Sequence, residues 1–171
     1  MAITLVRHTQ PDIAEGICYG RLDLSLADTF DTEAQAVLQK LKPADVLVSS
    51  PLNRCKRLAD KIGEHFEQPV IIDERLREMD FGDWEGLKWE DILRQELDSW
   101  RDNFYEARPH GGESVKMLTD RVLSAISDYR KTGKRHIVVC HAGVIKAATS
   151  QGKSAEDFET SVPFGGLIQL E

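Results

Sequence analysis

Five short runs of apolar residues recur along the chain, and longer stretches with a helical period separate them. The apolar runs have the length of buried β-strands and lie at residues 2–6, 45–49, 70–72, 137–140 and 167–170. Apolar side chains recur at steps of three and four residues in four intervening segments, at residues 34–41, 55–62, 115–129 and about 144–150. Strands that alternate with helices predict an α/β fold, a three-layer sandwich with a mostly parallel central sheet and helices on both faces.

Residues 73–112 are the least regular part of the chain. They contain all three tryptophans, with further aromatic and many acidic side chains. We expect one or two short helices between residues 89 and 104, and a small separate core built from the aromatic side chains. The chain shows no internal repeat or linker. We therefore interpret residues 1–171 as a single domain in which residues 73–112 form an irregular excursion over the candidate active site.

The overall composition is that of an ordinary globular protein. Of 171 residues, 41% are hydrophobic and 30% charged, and the net charge of -7 disfavours non-specific binding to nucleic acid or membranes. The net negative charge does not exclude an anionic substrate, because charges more than roughly 8 Å apart are largely screened and a local cluster of arginines can still attract an anion. Three widely spaced cysteines, with no signal peptide and no membrane-span-length apolar run, predict a cytoplasmic protein with reduced thiols.

Basic side chains follow three of the predicted strands. Arg7 and His8 come directly after the first strand, and His141 follows the fourth. After the second strand, Ser50 is expected to be the N-cap of a helix whose first turn contains Arg54. Because the carboxyl ends of parallel strands meet at one edge of a sheet, these basic side chains are expected to converge.

Two guanidinium groups and two imidazoles suit an anion with tetrahedrally arranged oxygens. The planar guanidinium matches the spacing of phosphate oxygens, and a neutral imidazole can attack phosphorus to form a phosphohistidine. The residues alone do not decide whether His8 or His141 is the nucleophile. A surface arginine beside a hydrogen-bonded histidine at a strand end is the alternative interpretation of Arg7 and His8.

A phosphoryl transfer that expels an alkoxide also needs a proton donor. Glu78, in a loop that contains a glycine, is the candidate for this acid. Asp80 and Glu85 in the same loop are rivals.

A metal site is a competing use of histidines, cysteines and carboxylates. His136 and His141 are five residues apart on a predicted strand, an odd offset that points their side chains to opposite faces. His65 and His110 are expected on the surface or in loops. Neither an H-E-x-x-H nor a C-x-x-C motif is present, and no glycine-rich nucleotide-binding motif follows His8. We therefore predict neither a metal nor a cofactor.

Taken together, the chain resembles the histidine phosphatase superfamily, the phosphoglycerate-mutase-like proteins. Four motifs match in order, and together with a weaker match at residues 111–114 they cover nearly the whole chain. The four motifs lie at residues 5–9 (LVRHT), 49–54 (SSPLNR), 78–86 (Glu78, then FGDWEG) and 138–143 (VVCHAG).

The resemblance implies a role for each candidate residue. His8 would be the phosphorylated nucleophile, Arg7, Arg54 and His141 would bind the phosphoryl group, and Glu78 would donate the proton, without metal or cofactor. Gly20 corresponds to a position that contacts substrate, and Arg21 is expected to reach a second polar or anionic group. Ala142 stands where the family has the first of two glycines and is expected to border the substrate.

Within the superfamily, residues 16–26 look most like the α-ribazole-5′-phosphate phosphatases of cobalamin synthesis. The resemblance therefore implies hydrolysis of a small phosphorylated metabolite. A phosphoglycerate-mutase-type phosphotransferase is the nearest alternative, and a non-catalytic module that binds a phosphorylated ligand is another. The segment between His141 and the last strand is short, so a homodimer in which a second subunit supplies one wall of the pocket is also an expectation.

Overall fold

The computed structural model describes residues 2–170, and at its centre lies a five-stranded sheet. Its strands are β1 (Ile3–Arg7), β2 (Val46–Ser49), β3 (Val70–Ile72), β4 (His136–Cys140) and β5 (Leu167–Leu170). They are ordered β3-β2-β4-β1-β5, and all neighbours are parallel except β1 and β5, which are antiparallel. The five predicted strands and the mostly parallel sheet are thus confirmed.

The central strands are continuous apolar runs because helices cover both faces of the sheet. Every residue of β4 is buried, whereas the edge strand β3 exposes about half of Ile71. The helices are α1 (Phe30–Lys40), α2 (Asn53–Phe66), α3 (Arg94–Asp102), α4 (Val115–Lys131) and α5 (Ala142–Thr149). The core beneath α1 and α2 is separate from the core beneath α4 and α5, which confirms the three-layer sandwich. No helix within residues 2–170 has the length and apolar character needed to cross a bilayer.

The start of α2 differs from the sequence prediction. Ser50 is not the N-cap, because the helix begins three residues later at Asn53 and Leu52 occupies the N-cap position without a side-chain cap. The Ser50 hydroxyl instead accepts a weak hydrogen bond from the Leu52 amide and lies 2.8 Å from His141 Nε2. Arg54 does lie in the first turn of the helix, as predicted.

The excursion at residues 73–112 consists of three short 3-10 turns followed by α3. Its aromatic side chains pack around the buried Trp84 and Cys18 in a third hydrophobic cluster, as predicted. His110 lies in a loop, as predicted, but it is only 1% exposed and therefore does not lie on the surface. Its ring packs 4.9 Å from that of Trp84, and its Nδ1 accepts a hydrogen bond from the Gly112 amide.

Candidate active site

Three parallel strands bring the predicted site residues to one edge of the sheet. In the order β2-β4-β1, the registers pair Ser49 with Val139 and Arg7 with Cys140. The ladder continues past the strand ends, since the His8 amide donates to the Cys140 carbonyl oxygen at 3.0 Å. His8 and His141 therefore leave adjacent strands at the same level, and their ring centroids are 5.3 Å apart.

His8 is held as a neutral imidazole with one free nitrogen. Its Nδ1 lies 2.7 Å from the Thr9 carbonyl oxygen, and because a carbonyl can only accept, Nδ1 carries the proton. Nε2 then keeps its lone pair. Burial, and secondarily the positive charge of Arg54, lower the pKa of His8 from 6.5 to about 3, so the ring stays unprotonated near neutral pH.

His141 is fully buried and does not line the cavity. Its Nε2 lies 2.8 Å from Ser50 Oγ and 3.4 Å from Cys55 Sγ. Burial holds the pKa of His141 well below 6.5, and the nearby Arg54 guanidinium lowers it further. Both imidazoles are therefore neutral in the folded protein.

These two neutral imidazoles predict a loss of stability in acid. In the unfolded chain His8 binds a proton as the pH falls below 6.5, whereas in the folded protein it binds one only near pH 3. Acid therefore stabilises the unfolded state, and the free energy of unfolding falls as the pH is lowered from 6.5 towards 3. Between pH 7.5 and 5.0, His8 alone is expected to account for about 2 kcal/mol of this loss. Urea unfolding of the wild type and of His8→Gln at both pH values measures it, and the variant should lose about 2 kcal/mol less. An equal loss in both proteins would contradict the prediction.

Arg54 is fully buried and, like His141, does not line the cavity; backbone carbonyls hold its guanidinium next to the two histidines. Nη1 donates to the Leu22 carbonyl oxygen at 2.7 Å and Nη2 to the Gly20 carbonyl oxygen at 2.5 Å. No residue in the described chain accepts from its buried Nε. The loop that supplies these carbonyls is anchored in turn by Glu85, whose Oε1 accepts from the Gly20 and Leu22 amides.

Gly20 allows the loop to pack closely because it has no side chain. A Cβ at this position would lie 1.9 Å from the Met79 carbonyl oxygen, far inside van der Waals contact. Only glycine lets the loop approach this closely and bring its carbonyl oxygen to Arg54. Gly20 itself does not line the cavity, so the structure places it behind Arg54.

Arg7 directly precedes His8 and is half-buried. Its Nη1 donates to the Val162 carbonyl oxygen at 2.8 Å, and its Cζ lies 4.1 Å from the centre of the Phe164 ring. As with Arg54, no acceptor among residues 2–170 binds its buried Nε. Two guanidinium groups, each with a buried Nε that has no partner among residues 2–170, form an anion-binding arrangement next to a neutral imidazole, because unpaired buried donors are costly.

Glu78 lies on the wall of the same cavity, only 8% exposed. Its Oε1 accepts from the Met79 amide at 2.9 Å and its Oε2 from the Gly143 amide at 3.1 Å, at the first turn of α5. A Cβ at Gly143 would lie 2.2 Å from Glu78 Oε1, so the glycine makes room for the carboxylate.

The rival carboxylates have other partners and do not line the cavity. Asp80 accepts from the Gly82 amide at 2.9 Å, and Glu85 binds the loop at Gly20. The structure thus brings Glu78, of the three candidates, to the cavity wall.

The cavity has a volume of about 390 Å³. Arg7, His8 and Glu78 lie at one end, where Ala142 also borders the space, as the sequence predicts. Arg21 does not line the cavity. Its guanidinium is 38% exposed and lies 3.8 Å from the buried Glu113 carboxylate, so the structure does not bring it to the other candidates.

Several residues that contact the site were not identified from the sequence. Ser50 and Cys55 touch His141, and Phe164 packs against both Arg7 and His8. The position of Ser50 directly after β2 could have indicated its role, by the same rule that identified His8. Nothing local marks Phe164, because the turn before β5 reaches the site only through the antiparallel pairing of β5 with β1.

Metal binding finds no geometric support in the described part of the chain. Within residues 2–170, no three histidine, cysteine or carboxylate side chains are grouped as they would be around an ion. His136 packs against Tyr129 with ring centroids 5.2 Å apart, at the opposite end of β4 from His141. The three cysteines are buried and free.

Comparisons with known proteins identify relatives of this chain. A family model described as the histidine phosphatase superfamily, branch 1, matches residues 3–160. A glucosyl-3-phosphoglycerate phosphatase of Mycobacterium tuberculosis is 39% identical over 165 residues, covering 86% of this chain and 73% of the relative.

Two solved structures extend the comparison to the fold. A mycobacterial glucosyl-3-phosphoglycerate phosphatase is similar with a TM-score of 0.84 at 27% identity, covering 98% of this chain and 88% of that one. The α-ribazole phosphatase of Shigella flexneri is similar with a TM-score of 0.87, covering 100% of this chain and 90% of that one, and at 23% identity this likeness shows the fold alone. Because the family model spans most of the chain, this protein belongs to branch 1 of the histidine phosphatase superfamily and is a phosphoric monoester hydrolase.

Proposed function

We propose that this chain hydrolyses a small phosphomonoester through a phosphohistidine at His8, without a metal. One observation carries the proposal: the neutral His8 imidazole, with its free Nε2, lies near the guanidinium groups of Arg7 and Arg54, and no residue among 2–170 accepts from the buried Nε of either arginine. Phosphoryl transfer chiefly requires that the spread negative charge on phosphorus-bound oxygens be positioned and neutralised. Arg7 and Arg54 supply this, and His141 lies beside His8 as a further contact for the phosphoryl group.

His8 is the better nucleophile of the two histidines. It lines the cavity, whereas His141 is fully buried behind it. The His8 Nδ1 proton is fixed on the Thr9 carbonyl, which leaves the Nε2 lone pair for phosphorus. Nε2 of His141 is already in contact with Ser50 and Cys55.

In the first step, His8 Nε2 forms a bond to phosphorus as the bond from phosphorus to the alcohol oxygen breaks. Glu78 gives its proton to the departing oxygen, so a neutral alcohol leaves. In the second step, a water oxygen attacks phosphorus, Glu78 takes a proton from that water, and the nitrogen–phosphorus bond breaks. Inorganic phosphate leaves, and His8 is again neutral.

Rapid quenching of the enzyme with a ³²P-labelled phosphomonoester tests this mechanism. We expect a protein-bound label that is lost in acid and stable in alkali, as is typical of phosphohistidine, and that is absent from His8→Ala. Turnover without such a label, or an equal label in the variant, would refute the mechanism.

Two other outcomes would favour the alternative functions. Tight phosphate binding without hydrolysis of any ester would indicate a binding module. Isomerisation of 3-phosphoglycerate with a bisphosphate primer, and without free phosphate, would indicate a mutase.

Glu78→Gln is expected to affect esters according to their leaving groups. For alkyl phosphates, whose alkoxides need a proton, kcat should fall by about 10²-fold. For 4-nitrophenyl phosphate, whose leaving group departs unprotonated, the first step should be nearly unchanged. Burst kinetics separate the two steps, and Asp80→Gln is the matched control from the same loop. An equal loss for both leaving groups would contradict the role of Glu78 as the acid.

The physiological substrate is a narrower proposal. The resemblance of residues 16–26 supports α-ribazole 5′-phosphate, and the curated mycobacterial relative supports glucosyl-3-phosphoglycerate. A panel of phosphorylated metabolites that contains both compares them by kcat/KM. A cytoplasmic location and a homodimer stay predictions, the first supported by three free, buried thiols.

A further inference from the structure

The cavity next to His8 is much larger than a phosphate group, and its far part differs in character from the phosphate end. Its volume of about 390 Å³ lies in the range of small-molecule sites. Beyond Arg7, His8 and Glu78, the remaining space must take the alcohol portion of the ester. The side chains around that space therefore indicate which kind of alcohol the site binds.

The wall of this far part is aromatic and aliphatic. Phe81, Trp100 and Phe104 of the excursion contribute to it. Leu118 of α4 and Phe158, which lies before β5, also contribute to it. Phe104 and Phe158 meet edge to face with ring centroids 5.5 Å apart, and Phe104 also packs 5.4 Å from Trp100. Rings that contact each other in this way form a continuous apolar wall, and a flat apolar group can pack against its faces and edges.

Charged groups in this far part balance each other. Among the described residues that line the cavity, Lys146 and Glu159 are the charged ones outside the phosphate end, and they carry opposite signs. Glu159 is exposed and Lys146 half-buried. The charges on these two side chains sum to zero, so this part of the lining carries no net charge that would favour a carboxylate or an ammonium group on the alcohol. The apolar surface is then the main source of binding energy for the alcohol.

We infer that the preferred substrate is the phosphomonoester of an uncharged alcohol with a flat, apolar body, and that Phe104 and Phe158 determine this preference. The inference rests on the proposed phosphatase function and narrows it. It disfavours hydroxy acids and amino acids as the alcohol, since a charged group would lose its hydration against an aromatic wall.

A pair of esters with closely similar leaving groups tests the preference. In 2-phenylethyl phosphate and glycerol 3-phosphate the phosphate is attached to a primary carbon, so the two differ chiefly in the body of the alcohol. We expect kcat/KM to be about 30-fold higher for 2-phenylethyl phosphate, because burying its phenyl ring in an apolar pocket contributes binding free energy. 3-Phosphoglycerate, which adds a carboxylate, should be the poorest of the three.

Phe104→Ala is expected to lower the ratio of the two kcat/KM values about tenfold, through a higher KM for 2-phenylethyl phosphate. Inhibition by orthovanadate should not change, which shows that the phosphate end is intact. Phe104→Leu should restore part of the ratio. Phe66→Ala is the matched control, since Phe66 is a partly buried aromatic residue of α2 that does not line this cavity.

Each outcome separates the inference from the function on which it depends. Hydrolysis of the esters at similar rates, or a preference for glycerol 3-phosphate or 3-phosphoglycerate, would overturn the inference and leave the phosphatase mechanism standing. An unchanged ratio in Phe104→Ala, with a folded protein, would also overturn it. Failure to hydrolyse any ester would instead refute the proposed function.

Discussion

His8→Gln is expected to lower kcat/KM by at least about 10⁴-fold and to abolish the phosphoenzyme. The glutamine amide can still donate to the Thr9 carbonyl oxygen, which keeps the local hydrogen bond. Its nitrogen lone pair is delocalised into the amide carbonyl and is therefore not nucleophilic towards phosphorus. The two arginines remain, so the variant should still bind inorganic phosphate.

Steady-state kinetics with an alkyl phosphate, rapid quenching with the labelled ester and phosphate-binding calorimetry measure these three effects. Thermal unfolding at pH 7.5 checks that the variant is folded. His136→Gln is the matched control, because His136 is equally buried and its pKa is also lowered by burial, yet it packs against Tyr129 away from the cavity. The control should keep its activity. More than about 1% of wild-type kcat/KM in His8→Gln would exclude His8 as the nucleophile.

Arg54→Lys is expected to lower kcat/KM about 10³-fold, although the charge is conserved. The guanidinium donates to two backbone carbonyls, of Gly20 and Leu22, while its Nε stays available for a phosphoryl oxygen. An ammonium group has three donors at a single point and cannot span these positions together. Loss of a positioned charge and donors in a buried site costs most in the transition state, where the negative charge is spread over the equatorial oxygens.

Arg57→Lys serves as the control, since Arg57 is exposed on the same helix. It should keep full activity. In Arg54→Lys, orthovanadate inhibition should weaken along with kcat/KM, and the melting temperature should fall far less than activity does. A fall of less than tenfold in kcat/KM would show that Arg54 chiefly supports the loop at Gly20.

The sequence predicted much of this site because the relevant rule is topological. Residues that directly follow parallel strands must meet at one edge of the sheet, whatever the loops between them do. For this reason His8 and His141, 133 positions apart in the chain (141 − 8), could be placed together from the pattern of apolar runs. The same rule applied to the residue after β2 would have identified Ser50, which local helix-cap statistics assigned to a different role.

The choice among carboxylates could not be made in this way. Glu78, Asp80 and Glu85 lie within eight residues in a segment without a regular period, so their directions depend on how residues 73–112 pack. Two close contacts with glycines determine which carboxylate reaches the cavity. Glu85 Oε1 accepts a hydrogen bond from the Gly20 amide and is held at the loop, whereas Glu78 fits against Gly143, where a Cβ would clash, and lines the cavity.

The amino-acid sequence by itself determined the α/β sandwich and the convergence of Arg7, His8, Arg54 and His141, because strand periodicity and parallel connection are properties of short segments. Tertiary structure alone decided which carboxylate faces the phosphate end, where His110 and Phe164 lie, and what lines the rest of the cavity. These features arise from contacts between segments far apart in the chain, in loops where no repeating pattern fixes the direction of a side chain. The substrate-binding wall belongs to this second group, and its aromatic character became visible only when the excursion, α4 and the segment before β5 were seen together.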